Sequence, residues 1–196
     1  MTSTSSNVTW HHGTVVREQR WDALGQRGAT VWFTGLPASG KSTVSAAVEA
    51  RLLEEGRPAY RLDGDNLRHG VCGDLGFSAE DRDRNVRRTA EVARLFADAG
   101  LIAVVSIVSP YDAARAAARE LHERDRLRFV EVFVNTPLEV CEARDPKGLY
   151  ARARAGELRG FTGVDDPYEP PREPDVELRV VDVETAVAMV LQALDG

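Results

Sequence analysis

The chain contains little cysteine. Its two thiols, Cys72 and Cys141, form neither a disulfide framework nor a metal-binding spacing. A reduced, cytoplasmic setting is therefore expected. No apolar run is long enough to cross a bilayer, so no membrane partner is expected. The first residues, Met1-Thr-Ser-Thr-Ser-Ser-Asn7, are polar and lack the basic-then-apolar order of a signal peptide. An excess of positive charge is also missing: 25 Lys and Arg stand against 31 Asp and Glu, a net charge of −6. That balance argues against a general nucleic-acid surface. Basic residues still gather locally, at Arg82 to Arg88 and at Lys147 to Arg159. Such islands in an acidic chain suit a small anionic ligand. No internal repeat is visible. With 43% hydrophobic and 29% charged residues over 196 positions, the composition is that of one ordinary globular domain with a full core.

What the chain does contain is Gly35-Leu-Pro-Ala-Ser-Gly-Lys-Ser42, the pattern G-x-x-x-x-G-K-S. It follows the apolar run Ala29–Thr34 and precedes a helical pattern from Thr43 to Leu53, the strand–loop–helix setting such a phosphate-binding loop requires. Glycines let the backbone curl so that successive N–H groups form an anion nest, and the helix start adds its positive dipole end. Gly35, Ala38, Ser39, Gly40, Lys41, Ser42 and Thr43 are expected to hold the phosphates of ATP, with Lys41 on the β- and γ-phosphates and the Ser42 hydroxyl on Mg²⁺. A glycine-rich turn that merely joins a strand to a helix is the plain alternative.

The remaining chain reads as alternating strands and helices. Residues 1–9 form a disordered Ser/Thr-rich tail, and 10–196 a single domain. Residues 15–24 read as a short helix, and the adjacent His11 and His12 as a surface or subunit contact rather than a metal site. Strands are expected at 29–34, 58–62, 101–107, 128–134 and 176–181, and helices to about 55, from Ser78 to about Gly100, over 112–124, after Pro137, and over 185–194. The fold class is therefore α/β: a three-layer α/β/α arrangement with a five-stranded parallel sheet. Asp145 to Gly163 has another texture, with basic residues at 147, 152, 154 and 159, four glycines and too few apolar residues to be core. It reads as a mobile helical lid over the phosphates.

In open α/β sheets, ligand groups sit just past the carboxyl ends of the strands. Asp63 and Asp65 follow the second strand there, as candidates for Mg²⁺ and proton work; a surface Asp-Gly turn would look the same. The third strand ends without the metal-holding Asp of many phosphate-loop proteins, which leaves Asp63 as the first choice for that role. Ser78-Ala-Glu-Asp81 resembles a capping box with Asp in place of Glu, and Arg82 and Asn85, three apart, share a face near that helix start. Phe77 is either a staple on this helix or an exposed aromatic platform.

Taken together, Gly35–Thr43, Leu62-Asp-Gly-Asp-Asn-Leu-Arg-His-Gly70, Leu75-Gly-Phe-Ser78, residues 81–88, Leu95-Phe-Ala-Asp-Ala-Gly-Leu101, Ser109-Pro-Tyr111, Asp145-Pro-Lys-Gly-Leu-Tyr150 and Gly160-Phe-Thr-Gly163 resemble the adenylyl-sulfate kinase family. The resemblance runs from about Asn7 to the last strand. It implies a nucleoside-kinase-like phosphate-loop fold with a lid, and ATP- and Mg²⁺-dependent phosphorylation of the 3′-hydroxyl of adenosine 5′-phosphosulfate (APS) in sulfate assimilation. It further implies that Asp63 orients or deprotonates that hydroxyl and, with Ser42, holds Mg²⁺. Asp65, Asn66, Arg68, Arg82 and Asn85 would contact the phosphosulfate and ribose. Phe77 and Phe161 would sandwich the adenine, and Val108, Ser109, Lys147 and Gly160 would complete the pocket. Arg144 and Arg152 would approach ATP. Ser109 is a catalytic candidate by resemblance, as a phosphorylated serine, although in-line transfer has no need of a covalent step. A homodimer and a free-standing kinase without a sulfurylase domain are expected. Two departures stand out: Cys72-Gly73 where Asn and a basic residue are usual, and Leu36-Pro-Ala-Ser39 where Leu-Ser-Gly-Ser is usual. The competing readings are another small-molecule kinase on this scaffold (nucleoside, shikimate or gluconate type) and a nucleotide-binding switch without transfer chemistry.

Overall fold

The computed structural model describes residues 9, 11, 13–179 and 181–196. Most of the expected tail, together with Trp10 and His12, lies outside the described residues. Helix α1 (Arg17–Leu24) leads into β1 (Ala29–Thr34), α2 (Lys41–Glu54), β2 (Ala59–Asp63) and the single-turn α3 (Gly64–Leu67). Then come α4 (Ala79–Ala99), β3 (Ile102–Ser106), α5 (Asp112–Arg124), β4 (Arg128–Val134), α6 (Leu138–Arg144), α7 (Leu149–Arg154), β5 (Val176–Leu178) and α8 (Val183–Asp195). No described helix is long and apolar enough to cross a membrane.

All four strand pairings are parallel, in the order β2-β3-β1-β4-β5. Parallel strands are buried on both faces, which explains the near-continuous apolar runs of β1, β3 and β4. Alternation along the strands sorts two cores. Val31, Phe33, Val104 and Val132 face α2 and α8, while Trp32, Ala103, Val105 and Phe129 face α4 and α5. β1 lies in the middle, and the chain leaves it for β2 beyond one neighbour and later for β4 on the other side. The loop after β1 therefore opens at the point where the strand order reverses, which is where such sheets bind ligands.

Local chemistry sets the helix that matters most. Ser78 Oγ accepts from the Asp81 N–H at 3.1 Å and caps α4. Asp81 is too short to return to the Ser78 N–H as a Glu would. Its Oδ2 takes the Ser78 hydroxyl at 2.9 Å and the Gly76 N–H at 3.1 Å, which pins the loop before the helix. Val86, Ala90, Ala93 and Ala97 form the buried stripe of α4, with Phe96 at its edge stacked on Tyr60. α1 rests on the far end of this helix, with Arg17 Nε 2.6 Å from Asp98 Oδ1 and the Trp21 indole donating to the Ala97 carbonyl.

Two expectations need correction. Only Leu149–Arg154 of the 145–163 segment is helical, and the segment is not devoid of core. Tyr150, Ala153 and Phe161 are buried with Cys141 in a third, small apolar cluster backed by Leu36, Ala38 and Leu138. Its apolar residues are few, but each meets an apolar residue of the phosphate loop or α6. The Asp63-Gly64 pair is also more than a turn: Asp63 Oδ1 accepts from the Asp65 N–H at 3.0 Å and caps α3.

Candidate active site

The loop from Gly35 to Ser42 closes around the side chain of Lys41. Gly35 and Gly40 have φ of 149° and 106°, and a Cβ on Gly35 would lie 2.7 Å from the Val134 carbonyl oxygen. Only glycine fits there. Ala38 also takes a left-handed φ of 59°, at a cost of about 1 kcal/mol relative to glycine. Three outer groups hold this strained stretch: Thr136 Oγ1 donates to the Ser39 carbonyl at 2.8 Å, Arg144 Nη1 to the same oxygen at 3.3 Å, and the Tyr150 hydroxyl to the Pro37 carbonyl at 3.0 Å. The phosphate loop is thus braced by α6 and α7.

Lys41 is buried, and its ammonium donates to the Gly35 and Leu36 carbonyls at 2.9 and 2.7 Å. Burial pushes its pKa down to about 8, only partly offset by Asp63 and Asp65. A bound triphosphate favours the cation, so ATP binding must take up protons near and above that pH, and affinity must fall as pH rises through about 8. At pH 8.5 the expected uptake is more than about half a proton per ATP bound, from calorimetry in buffers of different ionisation enthalpy. Proton-neutral binding at that pH would contradict this.

Beside the loop, the Ser42 hydroxyl donates to Asp63 Oδ2 at 3.2 Å, and Arg61 Nη1 donates to the same oxygen at 2.7 Å. A hydroxyl and a carboxylate converging at a phosphate loop are the hard oxygen donors that Mg²⁺ prefers. Among the described residues no group of three or more His, Cys, Asp or Glu could hold a metal. The pair therefore fits a cation whose other ligands come from phosphate and water.

Residues 37–44 and Asp63 line a cleft of about 780 Å³. The same cleft is lined by Arg68, Phe77, Arg82, Asn85, Val108, Ser109, Lys147 and Phe161. Phe77 is 60% exposed, too open for a staple on α4, and the Arg68 guanidinium lies 4.2 Å from its ring centroid. Phe161 is 8% exposed and packs edge-on against Tyr150. Arg82 ties the two phenylalanine loops together, donating from Nη2 to the Gly160 carbonyl at 2.6 Å and from Nε to the Phe77 carbonyl at 3.1 Å. Lys147 pairs with Asp65 across the mouth of the cleft. Asn85 is buried, and its amide nitrogen has no hydrogen-bond partner.

Ser109 has a left-handed φ of 40° and is 3% exposed. Its Oγ accepts from the Trp32 indole N–H at 3.2 Å, and its carbonyl accepts from Arg115 Nη1 at 2.7 Å. Arg115 is itself buried, bonds Glu131 at 2.9 Å, and holds the Glu169 carbonyl at 2.7 Å. The Tyr168 hydroxyl bonds Thr34 at 2.9 Å, and burial pushes its pKa up to about 12. Segment 160–170 is therefore sewn to the wall that carries Val108 and Ser109. Of the expected site residues, Gly35, Asn66, Arg152 and Gly160 stand outside the cleft lining; Arg152 is exposed, with Nε 3.7 Å from Glu157. Sequence reasoning missed Arg61, Thr136, Tyr150 and Arg115. Arg61 acts on Asp63, two residues along, while Thr136, Tyr150 and Arg115 act through contacts distant in sequence.

Comparison with known proteins agrees with this geometry. The family described as adenylylsulphate kinase matches residues 27–179. The adenylyl-sulfate kinase of Klebsiella pneumoniae is 54% identical over 178 residues, covering 91% of this chain and 88% of the relative. That of Vibrio cholerae is 53% identical over 190 residues, covering 96% and 87%. The solved APS kinase of Mycobacterium tuberculosis, in complex with AMPPNP and APS, superposes with a TM-score of 0.85 at 52% identity, over 87% of this chain and 99% of that one. A phosphate loop facing an aromatic and arginine-lined pocket, in a chain matched to this depth over most of its length, places the protein in the adenylyl-sulfate kinase family.

Proposed function

We infer that this chain transfers the γ-phosphoryl group of ATP to the 3′-hydroxyl of APS, giving 3′-phosphoadenosine 5′-phosphosulfate and ADP. The observation that carries this reading is a single cleft lined by the phosphate loop, two phenylalanines and two arginines, with Asp63 bonded to Ser42 at the loop's flank. One nucleotide fits each end, with the reacting groups head-on.

On this reading the loop amides and Lys41 grip the donor phosphates, with Arg144 alongside. Phe77 and Phe161 take the adenine of APS, while Arg68, Arg82 and Asn85 meet its anionic tail and ribose. Lys147 leaves Asp65 to let the acceptor in. The 3′-oxygen attacks the γ-phosphorus, the bond to the β-phosphate oxygen breaks, and the 3′-hydroxyl proton passes to the Asp63 carboxylate. Mg²⁺, held by Ser42 and Asp63 together with donor phosphates, supplies charge neutralisation when bound. The segment 145–163 acts as the lid that excludes water, hinged on its packed base at Tyr150. Ser109 shapes the acceptor wall, its hydroxyl already engaged by Trp32. The enzyme works in the cytoplasm as a homodimer, to which the exposed Val15, Val16 and Leu24 contribute.

Acceptor-dependent ADP release tests the reading. Turnover is expected with APS and not with nucleosides, shikimate or gluconate. Turnover with one of those acceptors instead, or ATP binding without acceptor-dependent turnover, would overturn it. Within the pocket, Arg82→Ala should raise the KM for APS about 30-fold, the loss of a charged contact of about 2 kcal/mol, with a smaller change in kcat. The KM for ATP should hold. An unchanged KM for APS would remove Arg82 from the acceptor site.

A further inference from the structure

The third strand of this sheet ends where many phosphate-loop proteins place a metal-holding carboxylate, and here that residue is Ser106. It is paired with Asp63 of β2 on one side and Phe33 of β1 on the other. Ile102 and Val104 pack against Val44 and Val48 of α2, so Ser106, two residues further along, faces the same side as the start of α2. That is also the side of the Ser42–Asp63 contact. Ser106 is 4% exposed and lines the cleft, and its Oγ has no hydrogen-bond partner. A buried hydroxyl left without a partner is destabilising, and native proteins keep few of them. The neighbouring hydroxyls are engaged elsewhere: Ser42 with Asp63, and Ser45 with the Ser42 carbonyl.

Resting on the function proposed above, we propose that Ser106 is an outer-shell metal residue, whose hydroxyl bonds a water of the hydrated divalent cation at Ser42 and Asp63. The orphaned hydroxyl is the unfilled half of that contact. It substitutes for the missing carboxylate without adding a negative charge beside Asp63. A bound cation keeps several waters when few protein ligands reach it, and groups that orient such ligands typically carry 10- to 100-fold in metal affinity.

The test is Mn²⁺ binding followed by electron paramagnetic resonance with ADP present, together with thermal unfolding of the free protein. Ser106→Ala should weaken Mn²⁺ about 10-fold and leave metal-free ADP binding unchanged. It should not lower the Tm of the free protein, because it deletes an unsatisfied group. Ser106→Thr, which keeps a hydroxyl, should restore most of the metal affinity. Mn²⁺ affinity in Ser106→Ala equal to that of the native chain would overturn the proposal. So would a lowered Tm with unchanged metal binding, which would make the hydroxyl structural. Should the native chain with ADP bind no Mn²⁺ at all, the metal role given to Ser42 and Asp63 would fall as well.

Discussion

Lys41→Ala should lower kcat by about 10³-fold or more while the protein stays folded. The lysine is the one side chain of the phosphate loop that places a full positive charge inside it. In the free protein that charge is spent on the Gly35 and Leu36 carbonyls, at a desolvation cost that brings its pKa down to about 8. A group held so unfavourably gains most when anionic oxygens arrive, and gains further as charge develops on the transferring phosphoryl group. Its removal deletes a transition-state contact and also relieves a buried cation, so Tm should change little. ATP affinity should weaken less than kcat falls. Turnover within tenfold of the native rate would show that the charge is supplied elsewhere.

Asp63→Asn should cost kcat about 10² to 10⁴-fold, the usual range for losing a positioned base. The substitution is chosen to leave the backbone intact. Asn caps helices as well as Asp, so the bond from the Asp65 N–H to the side chain persists and α3 keeps its start. The negative charge that Ser42 and Arg61 converge on is lost, and with it the metal ligand and proton acceptor of the proposed mechanism. KM for APS should move by much less. A variant with near-native kcat would mean that the 3′-hydroxyl proton leaves by another route and would take Asp63 out of catalysis.

The parts of this protein legible in the sequence are those whose physics is local. The buried parallel strands announce themselves as apolar runs, and α4 by its cap and stripe, because strand burial and helix periodicity write directly into residue order. The phosphate loop is equally readable, since its geometry requires glycine at Gly35 and Gly40. What stays hidden depends on contacts between distant segments. Tyr150 closes the Asp145-Pro-Lys-Gly-Leu-Tyr150 motif, but that motif does not reveal that it is buried and holds the Pro37 carbonyl across more than a hundred residues. Arg61 is the exception, hidden although its contact with Asp63 is only two residues away. Arg82 is visible as a basic residue near a helix start, but its grip on the Gly160 and Phe77 carbonyls is not. Ser106 is legible only as the absence of an acid. Arg152, whose charge suits ATP, is exposed and turned toward Glu157.

The most direct test of the account is a crystal structure of the protein with ADP, Mg²⁺ and APS. The account predicts the APS adenine between Phe77 and Phe161, with its 3′-oxygen beside Asp63 and in line with the terminal phosphate of ADP. An APS molecule bound elsewhere, or one whose ribose lies out of reach of Asp63 and the phosphate loop, would contradict it.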